Sequence, residues 1–69
     1  MPNYIINKNK DTHGYNEIHE TTCGHLPELQ NRISLGWHAN SKDALSHAKS
    51  IGWKDADGCY YCCNEIHHG

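Results

Sequence analysis

The sequence predicts a small α+β domain, an antiparallel sheet of about three short strands with one main helix, spanning residues 1–69 as a single unit. Three short stretches are β-prone or alternate apolar and polar residues with period 2, and a later stretch switches to helical spacing. At 69 residues with 36% hydrophobic content and no Phe, the chain also has little material for a core. A domain of this size buries only about 60% of the surface its unfolded chain exposes. Such a core often supplies no more than about 3–5 kcal/mol, so a staple is expected.

Tyr4 to Asn7 is short, apolar and β-prone, and reads as the first strand. NKNKDTHGYN is polar and turn-rich, and reverses the chain into a second strand around Glu17 to His19, forming a hairpin. In TTCGHLPELQN the positions of Gly24 and Pro27 predict a knuckle or turn around Cys23. Arg32 to Trp37 alternates Ile33, Leu35 and Trp37 with Ser34 and Gly36, a half-buried third strand. From Ser41, read as the N-cap, to Ile51, the residues Ala44, Leu45, Ala48 and Ile51 share one helical face, and Gly52 ends the helix. WKDADG reads as a polar turn in which Gly58 supplies a positive φ before Cys59. The apolar mass is expected from Trp37, Trp53, the four tyrosines, Ile5, Ile18, Leu35 and Leu45.

A formal charge of −2 provides no global field for nucleic acid or an anionic membrane. No stretch approaches the roughly 20 apolar residues of a membrane span. The start, MPNYIINKNK, lacks a basic leader followed by an apolar run, so a cytoplasmic location with reduced thiols is expected. In that setting clustered cysteines point to a metal or to redox chemistry more than to disulfides.

Two close-spaced pairs carry the chemistry: His19-x3-Cys23 and, after 35 intervening residues, Cys59-x2-Cys62. Zinc takes four ligands at tetrahedral corners, usually thiolates and imidazoles, and a spacing of two to four residues lets one turn deliver two of them. One shared Zn2+ would tie opposite parts of the chain together, and binding energy at such a site is folding energy. Cys23, Cys59 and Cys62 rank first as ligands and His19 fourth, with His67, His25 and Cys63 competing for the fourth place. The competing structural reading bridges Cys23 to one of the three C-terminal cysteines. A thioredoxin-like Cys-x-x-Cys would need a βαβ pattern the chain lacks. A calcium loop fails as well: aligning Gly58 with the loop's glycine puts Trp53 and Asn64 at positions that need carboxylates.

The order His19-x3-Cys23, strand, helix with Asp43-Ala44, glycine, Cys59-x2-Cys62 resembles the zinc-binding module at the N-terminus of the Ada DNA-repair protein and its stand-alone relatives. The likeness covers about residues 17–63, with Ser41, Ala44 and Ala48 roughly fitting the Ser-x3-Ala helix of that family. The phrases CGHLP, NRISLG and GCYYCC are also similar to a group of short bacterial proteins of about this length. The resemblance implies a small α/β zinc fold with His19, Cys23, Cys59 and Cys62 as ligands. In the repair protein the first cysteine of the C-x3-C pair accepts a methyl group; His19 stands there in this chain, and a neutral imidazole lacks a thiolate's nucleophilicity.

The expected function is therefore a monomeric structural-zinc module that is not an enzyme, with Trp53, Tyr60 and Tyr61 either as contacts for a protein partner or as an apolar cover over the metal. Two alternatives belong to other classes. A nucleic-acid-binding module would need Lys8, Lys10, Arg32, Lys42, Lys49 and Lys54 on one face. A thiol or redox protein would need Cys63 exposed with a lowered pKa.

Overall fold

The computed structural model describes residues 2–68. Strands β1 (Asn3–Asn7), β2 (Asn16–Glu20), β3 (Arg32–Trp37) and β4 (Ala56–Gly58) form one sheet in the order β3-β1-β2-β4, and helix α1 (Ser41–Ser50) lies between β3 and β4 in the chain. The α+β class is as expected, and the sheet has four strands rather than three. β1 pairs antiparallel with both β2 and β3, whereas β4 runs parallel to β2, so the sheet is mixed. The expected turn WKDADG thus contains a strand. Ala-Asp-Gly has little intrinsic β preference; tertiary pairing holds it, through Asn16 N–H to Asp55 O (3.0 Å) and Cys59 N–H to Ile18 O (2.9 Å).

One face of the sheet carries the core. Tyr4, Ile6 and Ile18 meet Leu35, Ala44, Ala48, Ala56, Cys63 and Ile66, with Leu45, Trp53 and Cys62 packed against them. Ala44 and Ala48 are the buried positions of α1 after Ser41, and their small side chains let the helix approach the sheet closely. Trp37 does not join this core and is 49% exposed. The cause is a bulge in β3: Ile5 pairs with Ser34 but Tyr4 pairs with Gly36, which leaves Leu35 as the extra residue. Gly36 takes φ +79°, the left-handed backbone suited to such a bulge. Past the bulge the alternation is reset, so Trp37 pairs with Asn3 and no longer follows Leu35 to the core side.

The helix begins one residue earlier than expected. Asn40 is the N-cap, its side-chain oxygen accepting from Asp43 N–H at 2.8 Å, while the Ser41 hydroxyl donates to the Glu65 carboxylate. At the other end Gly52 takes φ +109°, with Trp53 N–H on Ala48 O and Gly52 N–H on Lys49 O. This is the paired bonding of a Schellman stop, and it turns Trp53 back onto the core. Ile51, expected on the buried face, lies beyond the last turn and is exposed.

Candidate metal centre

Side chains alternate along β2, so Ile18 faces the helix and His19 faces the other way, beside its register partner Ile5 on β1. The chain then turns through a Cys23 N–H to Glu20 O bond (3.0 Å), bringing the Cys23 sulfur back under the end of β2. From the far end of the sequence, β4 pairs Gly58 with Ile18, so Cys59 emerges alongside His19. A tight turn closed by Cys63 N–H to Cys59 O (2.9 Å) returns Cys62 to the same place.

The result is one compact cluster. The ligand atoms of His19, Cys23, Cys59 and Cys62 all lie within 4.8 Å of one another. Cys23 and Cys59 sulfurs are 3.9 Å apart, and Cys62 Sγ is 4.0 Å from His19 Nδ1. A tetrahedral ion with metal–sulfur bonds of about 2.3 Å and a metal–nitrogen bond of about 2.0 Å requires ligand separations of roughly 3.5–3.8 Å. The four residues are close enough to hold a metal ion after small side-chain shifts, and they come as two pairs from distant parts of the chain. All four cysteines are free, and 3.9 Å is nearly twice the disulfide bond length of about 2.05 Å.

The surroundings act on these groups in both directions. Backbone N–H groups of Glu20 and His25 point at the sulfurs of Cys62 (3.3 Å) and Cys23 (3.4 Å), bonds that strengthen when the sulfur is an anion. Burial, with smaller contributions from His25 and Arg32, lowers the His19 pKa and so keeps the imidazole neutral. Burial pushes the Cys62 thiol up, against the pull of the Glu20 N–H, so metal binding must expel its proton.

The other candidates do not belong to this four-atom cluster. The His67 Nδ1–H donates to Gly58 O at 2.9 Å, and the His25 ring stacks on Tyr61 with centroids 3.9 Å apart. Cys63 sits 3.8 Å from the Cys62 sulfur but is 1% exposed within the core, where burial pushes its thiol up to about 11. Gly58 does not have the positive φ expected of it. Its requirement is space, because a Cβ there would collide with the Cys63 carbonyl oxygen and the Ile66 side chain. Sequence reasoning also passed over Glu17, whose carboxylate lies 3.7 Å from His19 Nε2. Its position two residues before a candidate ligand on the same strand is the available signal.

No helix among the described residues is long and apolar enough to cross a membrane. No family model, no curated protein and no solved structure matches this chain.

Proposed function

We propose that the chain is a small domain folded around one structural Zn2+ held by His19, Cys23, Cys59 and Cys62, serving as an interaction or scaffold module and not as a catalyst. The observation that carries this reading is the convergence of four ligand atoms within 4.8 Å, two of them on the buried residues His19 and Cys59. Three thiolates and an imidazole complete a tetrahedral shell and leave no position for water or substrate. Three sulfurs favour zinc over magnesium or calcium, which take oxygen ligands. Tyr60 and Tyr61, between the two ligands of the C-terminal knuckle, are 58% and 68% exposed. That exposure supports a contact role over a role as cover.

The other two readings gain less. Lys10, one of the cations a nucleic-acid face would need, is engaged with Asp55 at 2.7 Å. Cys63 is buried and resists ionisation, the opposite of what attack on a substrate requires. The resemblance to the Ada module remains compatible with the zinc fold but supplies no methyl acceptor at His19.

Cobalt substitution tests the closed shell. The Co2+ protein is expected to give intense tetrahedral ligand-field bands with sulfur charge transfer, unchanged by added azide or imidazole. A spectrum that shifts with those ligands would indicate an open coordination position and reinstate catalysis.

A further inference from the structure

The His19 ring presents its two nitrogens to different partners. Nδ1 faces the cluster, 4.0 Å from Cys62 Sγ, while Nε2 lies 3.7 Å from Glu17 Oε1. Glu17 and His19 are two residues apart on β2, so the strand's alternation places both on one face. We propose that Glu17 is a positioning residue of the metal centre, its carboxylate accepting the Nε2–H of His19 and so presenting the unprotonated Nδ1 to the cation. This rests on the reading that His19 binds the metal.

A neutral imidazole carries its proton on one nitrogen or the other. With the proton on Nε2, the N–H meets a carboxylate and the Nδ1 lone pair meets the cation. The opposite tautomer sets a lone pair against the carboxylate and a proton where the metal must sit. Glu17 therefore selects the tautomer that ligates, and the carboxylate raises the ring's basicity as a metal donor. His19 is 2% exposed, which limits water as a substitute acceptor. The Glu17 side chain is 31% exposed and free to close the 3.7 Å separation into a hydrogen bond. Asp57, opposite Glu17 in the β2–β4 register, is engaged with the C-terminal segment: its Oδ1 accepts from His68 N–H at 2.9 Å, and Oδ2 lies 3.6 Å from His67 Nδ1. Glu17 Oε1 is the carboxylate oxygen placed beside His19 Nε2, at 3.7 Å.

The test uses the full chain loaded with Zn2+, with affinity measured by chelator competition and the His19 ring read by long-range proton–nitrogen correlation NMR. The wild-type protein is expected to show metal on Nδ1 and a proton on Nε2. Glu17→Ala should lose roughly 10–100-fold in zinc affinity, and Glu17→Gln, which keeps a neutral acceptor, should fall between the two. Zinc bound through Nε2, or bound by Glu17→Ala at wild-type affinity, overturns the role of Glu17 alone. A wild-type protein that takes up no zinc overturns this role together with the reading beneath it.

Discussion

Cys59→Ser is expected to abolish metal binding and, with it, the cooperative fold, whereas Cys63→Ala, only four residues along, keeps one metal per chain. The contrast follows from position. Cys59 is buried and contributes its sulfur to the four-atom cluster, whereas the Cys63 sulfur points into the core. Apparent binding free energies at structural zinc in small domains are about 10–16 kcal/mol at neutral pH. The whole stability of an ordinary domain is about 5–15 kcal/mol. Losing a ligand thus removes a quantity as large as folding itself from a chain whose apolar core is mainly three isoleucines, a leucine, a tyrosine and three alanines. Cys63→Ala removes one sulfur from a packed site, a loss of about 1 kcal/mol. Metal content by mass spectrometry under native conditions, alongside thermal melting, reads both variants. Equal metal loss in the two would show that the ligand set is misassigned.

Gly58→Ala should be the most damaging single methyl group added to this chain. The new Cβ would collide with the carbonyl oxygen of Cys63, which is backbone and cannot swing aside, and with Ile66, which is itself buried. Relief requires the turn from Cys59 to Cys63 to move away from β4, and that turn delivers two of the four ligands. Overpacking of this kind typically costs about 1–3 kcal/mol, and at the upper end of that range the melting temperature of a domain of this size falls on the order of 10–20 °C. The zinc affinity should fall in parallel. A variant that melts within a degree or two of the wild type would mean that the knuckle does not pack tightly on β4.

The strands β1, β2 and β3 and helix α1 were legible because each has a local signal: apolar alternation, a turn-rich reversal, helical spacing ended by glycine. β4 was not, since Ala-Asp-Gly owes its pairing to Asn16 and Ile18 on another strand. Trp37 was misplaced for a related reason. A single bulged residue reverses the faces beyond it, and the Leu35–Gly36 pair signals this only weakly in the sequence. Asn40 and Ser41 are both good caps; Asn40 serves, while the Ser41 hydroxyl donates to Glu65, more than twenty residues away. The candidate metal ligands were readable as two short-spaced pairs, but spacing could not choose among His19, His25, His67 and Cys63 for the fourth place. In the structure the β2–β4 register sets Cys59 beside His19, while the His25 ring stacks on Tyr61 and His67 bonds Gly58.

Metal stoichiometry combined with chelation tests the central claim most directly. Native protein should carry one zinc ion per chain at the mass of the fully reduced polypeptide, and stripping that ion should collapse its dispersed NMR spectrum and its cooperative melting transition together. Stripped protein that keeps its dispersion and melts at an unchanged temperature, or a chain lighter by two hydrogens per disulfide and free of metal, would contradict it.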